Sequence, residues 1–171
     1  GSAKESAAEA IFRAIPQIDP ETMAASLRET IEDSIRMGLT AAVEAAVGFT
    51  SGFDNELAVW NLLRQDVSFS PIRLGFMYQL DPKEAAARGL MPRRDPDWQG
   101  MTLKFFADGI VGARTAAVSK PFADTGANGF FMRDEDDLER VIVEAHLDGW
   151  QTATHCVGDR ASARVISAFE K

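Results

Sequence analysis

Two short apolar stretches, each running into a polar residue and then a glycine turn, constrain this chain more than anything else in it. The first is Thr102-Leu103-Lys104-Phe105-Phe106-Ala107-Asp108-Gly109 and the second is Thr154-His155-Cys156-Val157-Gly158-Asp159-Arg160-Ala161. Between them the spacing predicts one amphipathic helix, with Asp134 as its cap, Leu138, Val141, Ile142 and Ala145 as its inner face, and Gly149 as its stop. Strand, helix and strand make a crossover unit of the kind that joins neighbouring parallel strands. In such folds chemistry gathers at the carboxyl ends of the strands. Lys104, within the first strand, and His155, near the end of the second, are therefore the residues to weigh first.

The rest of the chain repeats the alternation. Asp19-Pro20-Glu21 opens a helix whose apolar face is Met23, Leu27, Ile31 and Ile35, with Gly38 past its end. Leu39 to Val47 is small and apolar, and reads either as a strand near Thr40–Val43 or as a continuing helix. A second helix is expected over Asn55–Gln65 and a strand over Pro71–Tyr78. From Asp81 to Gly100 prolines and arginines accumulate, which predicts a long excursion with one short helix at Lys83–Arg88. After the Lys104 strand a loop runs from Gly109 to Met132. The last helix, Asp159–Glu170, turns Ala161, Val165, Ile166 and Phe169 inward. The expected fold class is α/β with about four parallel strands and flanking helices, in a single domain over residues 1–171. Residues 1–20 are expected to fray behind Gly1-Ser2, which reads as a cloning scar.

Composition excludes more than it assigns. A net charge of −8 disfavours nucleic acid, which is bound mainly through Lys and Arg, and anionic membrane surfaces alike. No run approaches the roughly 18 apolar residues of a membrane span. The amino terminus shows no basic and apolar leader pattern, so no signal peptide is expected. Cys156 is the single cysteine, so no internal disulfide forms, and a reducing, cytoplasmic setting is the expectation.

Lys104 is the most informative residue. An amine flanked by Leu103, Phe105 and Phe106 is costly unless it is paired, reaches solvent or is altered. The ordinary reading is a strand-end lysine paired with a carboxylate. The sharper readings are an amine of depressed pKa, or a carbamate formed with CO2, which turns a cation into an oxygen ligand for metal. His155 is either a packed imidazole or a metal ligand and acid–base group. Cys156, one residue on, alternates to the other face and reads as core. His146 falls near the carboxyl end of a helix, where a surface cation is favoured.

Asp108 and Asp159 each adjoin a glycine. Asp159 reads as a helix cap, and Asp108 either as a turn residue or as a group facing the same mouth as Lys104. Arg114 and Arg160 are suited to a carboxylate, of a substrate or of the chain. Gly126-Ala127-Asn128-Gly129 lacks the spacing of a phosphate cradle, and no organic cofactor motif is present.

The stretch from Leu103 to Gly109, together with Gly112-Ala113-Arg114-Thr115-Ala116-Ala117, Pro121-Phe122-Ala123-Asp124, Gly129-Phe130-Phe131-Met132 and His155-Cys156-Val157-Gly158-Asp159-Arg160-Ala161, resembles amidohydrolase family 3. This is the group of metal-dependent hydrolases similar to N-substituted formamide deformylases. The resemblance is specific over residues 102–170 and weaker over 21–80. It implies a (β/α)8 barrel and a divalent metal, commonly zinc, that activates water against a carbon–nitrogen bond of a small amide-type substrate. By position it implies that Lys104 corresponds to a lysine that can become a carbamate bridge and that His155 is a metal ligand. Asp108 and Arg160 match motif positions and are the candidate catalytic residues. The family's His-x-His pair, a further histidine and a late aspartate are absent from these residues. The expectation is an internal piece of such a barrel, inactive alone or nearly so, whose open sheet edges associate with a second copy.

Overall fold

The computed structural model describes residues 8, 10–11, 14–16, 18–66, 68–69, 72–94 and 98–171. Most of the expected frayed segment, Pro71 at the head of the expected strand, and Pro96 lie outside them. The chain divides into two compact units, Ser6–Gln79 with Pro92–Met101, and Leu80–Met91 with Thr102–Lys171.

In the first unit α1 (Pro20–Arg36) starts where its chemistry says it must. Asp19 accepts from the Thr22 amide at 2.8 Å, Pro20 occupies the first turn, and Glu21 and Arg36 suit the two ends of the dipole. Gly38, at φ +87°, ends it, and the Leu39 amide reaches back to the Ser34 carbonyl at 3.0 Å. Ala24 and Ile31 are buried, whereas Ile35 of the expected inner face is exposed. The ambiguous Ala- and Val-rich run is a strand, β1 (Ala41–Val47), parallel to β2 (Arg73–Tyr78), with Ala42 opposite Leu74 and Glu44 opposite Phe76. Helix α2 (Phe53–Gln65) covers one face of the pair: Trp60 meets Phe76 edge-on at 4.9 Å between ring centroids, and Phe53 meets Tyr78 at 5.7 Å. Glu56, in the first turn of α2, gathers the amides of Gly48, Thr50 and Ser51 at 2.5–2.8 Å and so closes the turn after β1.

The stretch expected as an excursion holds more structure than its prolines suggest. Helix α3 (Pro82–Ala87) belongs to the second unit. Strand β3 (Arg93–Arg94) pairs antiparallel with the start of β4 (Trp98–Phe106), which therefore begins four residues before the expected Thr102. Gly100 is where the phenol end of Tyr78 meets the backbone; a Cβ there would fall 2.2 Å from the tyrosine oxygen.

The second unit is the crossover. The end of β4 pairs in parallel with β5 (Gln151–His155), residue for residue from Thr102 opposite Gln151 to Phe106 opposite His155. Helix α4 (Glu135–Leu147) is capped by Asp134 through the amides of Asp136 and Asp137, and its four expected inward residues are all buried. It packs on β5 and on α5 (Asp159–Phe169). Arg133, just ahead of α4, clasps both oxygens of Asp81 at 2.9 and 2.8 Å and ties α3 to α4. The inner face of α5 is Ala161, Val165 and Ala168. Ile166 and Phe169, expected inward, are 58% and 59% exposed.

Candidate functional site

The period of two along a strand sorts the site residues. Leu103 and Phe105 are buried on one face of β4. Thr102, Lys104 and Phe106 alternate to the other, where the register places Ala153 and His155 beside Lys104 and Phe106. Lys104 and His155 thus share a face at the carboxyl ends of adjacent parallel strands.

Among the described residues Lys104 forms no ion pair with a carboxylate, against the ordinary expectation. Its Nζ instead lies 5.3 Å from the centroid of the Phe106 ring, and that ring stands 5.5 Å from the imidazole of His155. Burial pushes the amine below the usual lysine value of 10.5, opposed by the nearby Cys156 thiol. Cys156 is half-buried rather than core. Strand β5 ends at His155, so strict alternation no longer governs the next side chain.

His155 is held from both ends. Its carbonyl accepts the Ala107 amide at 2.8 Å, and its Nε2 stands 3.0 Å from the Gly109 carbonyl oxygen. A carbonyl only accepts, so this contact requires a proton on Nε2, and in the neutral ring it leaves the lone pair on Nδ1. His146 is exposed in the last turn of α4, as its position there suggests.

Asp108 is 1% exposed. Its Oδ2 accepts the amides of Ala117 at 2.7 Å and Gly158 at 2.8 Å, and its Oδ1 that of Val157 at 2.9 Å. The residues around it are equally committed. Asp159 does not cap α5, whose N-cap is Gly158. It reaches the loop instead, accepting the Ser119 amide at 2.8 Å and the Ser119 hydroxyl, which together hold its carboxyl below the usual range. The Arg160 amide donates to the Ala117 carbonyl at 3.2 Å. The Arg160 guanidinium lies 5.3 Å over the Phe131 ring and 3.2 Å from Glu135. Arg114, at φ 63°, grips Asp124 through Nε and a terminal nitrogen. Both arginines therefore hold carboxylates of the chain itself. The Gly126–Gly129 turn likewise spends its polar groups internally, with Asn128 donating to the Val118 carbonyl at 2.9 Å.

The model of the amidohydrolase family matches residues 1–171. The chain belongs to the amidohydrolase family. YtcJ of Bacillus subtilis (strain 168), a protein assigned to the amidohydrolases, is 40% identical over 70 residues, which is 40% of this chain and 13% of YtcJ. LONG AFTER FAR-RED 3 of Arabidopsis thaliana is 30% identical over 69 residues, 40% of this chain and 12% of that protein. Among solved structures, an uncharacterized metal-dependent hydrolase from Pyrococcus furiosus superposes with a TM-score of 0.78 at 22% identity, over 98% of this chain and 35% of its own. One from Pyrococcus horikoshii OT3 reaches 0.69 at 22%, over 90% and 31%. The fold of this amidohydrolase chain is theirs, an α/β arrangement whose four long strands form two parallel pairs with flanking helices. It spans about a third of the length of either solved hydrolase.

Whether the amidohydrolase residues fit a divalent metal is a question of donors. Among the described residues no three His, Cys, Asp or Glu side chains come together as a metal cluster. Among the described residues, what this face offers is one imidazole held at Nε2 and one lysine with no carboxylate partner. That chemistry suits two positions of a metal site and leaves the others to be supplied. A cavity of about 490 Å³ elsewhere, between α1, β1 and α2, is lined mainly by Met23, Leu27, Phe49, Val59 and Trp60, with the carboxylates of Glu44 and Glu56 but no histidine or lysine.

Proposed function

We propose that this chain is part of a metal-dependent hydrolase that cleaves carbon–nitrogen bonds of small amide-type substrates, N-substituted formamides being the subtype suggested by the 102–170 motifs. The observation that carries the reading is the pairing of Lys104 and His155 on one face at the carboxyl ends of β4 and β5, with no carboxylate partner for the lysine among the described residues. In this reading His155 offers Nδ1 to the metal. Lys104, its amine already biased toward the neutral form that reacts with CO2, offers a carbamate oxygen. Zinc is the proposed ion, and when bound it supplies an activated water and a polarised carbonyl. Phe106 lies beside both side chains, its ring 5.3 Å from the Lys104 Nζ and 5.5 Å from the His155 imidazole. Asp108 and Arg160 lie within their own networks and serve the site from outside it. With two donors the chain binds metal but turns over little substrate alone. No helix of the described residues is long and apolar enough to cross a membrane, and a cytoplasmic setting suits the single thiol.

Zinc calorimetry on this chain tests the reading, alongside Lys104→Ala and His155→Ala. Binding that is lost in both variants, and that strengthens with added bicarbonate only where Lys104 is present, is the expected result. Binding indifferent to both changes would remove the metal role from these residues.

A further inference from the structure

The carboxylate of Asp108 is buried with its hydrogen bonds drawn from neutral backbone amides on two other segments. Carboxylate bonds to amides are about twice as strong as neutral ones, so three of them make a firm junction. Where they lead is informative. Val157 and Gly158 lie two and three residues after His155, and Gly109, whose carbonyl meets the imidazole, follows Asp108 directly. Ala117 lies in the loop that leaves Gly109. The junction has no slack. A Cβ on Gly158 would fall 1.8 Å from the Ala117 oxygen, and the Arg160 and Ser119 amides lock the same loop onto the start of α5. The carboxylate also sits at the positive end of that 11-residue helix.

We propose that Asp108 is a positioning residue: by gathering the amides of Ala117, Val157 and Gly158 it holds His155 with Nε2–H on the Gly109 carbonyl and Nδ1 open to a ligand. At 1% exposure, with both oxygens engaged, it touches no substrate. The identity of the ligand rests on the metal-hydrolase reading, whereas the posture of the imidazole does not.

The test is the tautomer of His155 in the 15N-labelled chain, read by long-range proton–nitrogen correlation, with exposed His146 as an internal reference. The unaltered chain is expected to show His155 as a single Nε2–H form. Asp108→Asn sets an amide N–H against one of the backbone donors, and should convert His155 to a mixture of tautomers while zinc affinity falls about 10- to 100-fold. Ser119→Ala loosens the same loop without touching Asp108, and should leave the tautomer single. A folded Asp108→Asn chain that keeps a single Nε2–H form would overturn the proposal, as would an equal effect of Ser119→Ala. Should Asp108→Asn fail to fold, the unaltered chain decides. Slow exchange at all three amides with an Nε2–H imidazole supports the role, and fast exchange at Val157 or an Nδ1–H imidazole sinks it. Zinc that fails to bind while the tautomers behave as stated would defeat the metal reading and leave the positioning role intact.

Discussion

A methyl group on Gly158 would collide with the Ala117 carbonyl, although its φ of −72° suits any residue. Space rather than conformation requires glycine there. Gly112, in the same motif region, has nothing within 4 Å of its would-be Cβ. Gly158→Ala should therefore cost at least about 1–3 kcal/mol, and Gly112→Ala should stay within about 0.5 kcal/mol. Urea unfolding of the two variants side by side checks the contrast, and equal midpoints would refute the packing argument. Asp159 supplies a pH counterpart. Its carboxyl is depressed in the fold, first by the Ser119 hydroxyl and then by the Ser119 amide. Because the folded value lies below the ordinary 3.8, the stability it contributes is present above that pH and is lost as pH falls through the folded value. Ser119→Ala should move the Asp159 midpoint back up toward 3.8 and flatten part of the acid limb. An NMR titration in which the midpoint stays put would assign the depression elsewhere.

At the scale of elements, α4 and α5 separate what a sequence shows from what it hides. The inner face of α4 was legible because cap, period and stop agree, and Leu138, Val141, Ile142 and Ala145 are all buried. On α5 the same reasoning placed Ile166 and Phe169 inward, yet the buried set is 161, 165 and 168. A period locates an apolar stripe but not which edge of it another element covers. Long-range partners were hidden for the same reason. The Asp159–Ser119 link spans 40 residues and defeats the local capping rule. The two-residue β3 owes its existence to pairing with β4. Lys104 and His155 were legible as candidates because strand ends are where barrels keep chemistry. The Gly109 carbonyl that sets the imidazole was not legible, since a backbone oxygen leaves no mark in a sequence. Ile142→Ala should cost about 2–5 kcal/mol, whereas Phe169→Ala, on an exposed side chain of this chain, should change stability by less than about 0.5 kcal/mol. Comparable losses in thermal melts would mean that Phe169 is covered in solution.

At the scale of the whole molecule two opposed quantities set behaviour in solution. Strand β1 pairs only with β2 among the described residues, and its seven residues hold one charge, Glu44, and no proline or lysine. Val43 on this strand is 57% exposed, with Met37 and Leu39 exposed just ahead of it. Such an edge invites a second strand. A net charge of −8 pushes copies apart over roughly 10 Å at 0.1 M salt. The balance gives the salt dependence its sign. If the edge drives pairing, added sodium chloride screens the repulsion and association grows; a contact held by ion pairs would weaken instead. Sedimentation velocity across a concentration series should therefore show a monomer–dimer equilibrium that tightens between low and physiological salt. Val43→Lys should weaken it, by setting a cation on the edge of each copy and interrupting the apolar row. A monomer at every concentration and salt, or dimerisation indifferent to Val43→Lys, would show that this edge is not the contact, and the exposed end of α5 with Ile166 and Phe169 would be the next surface to alter.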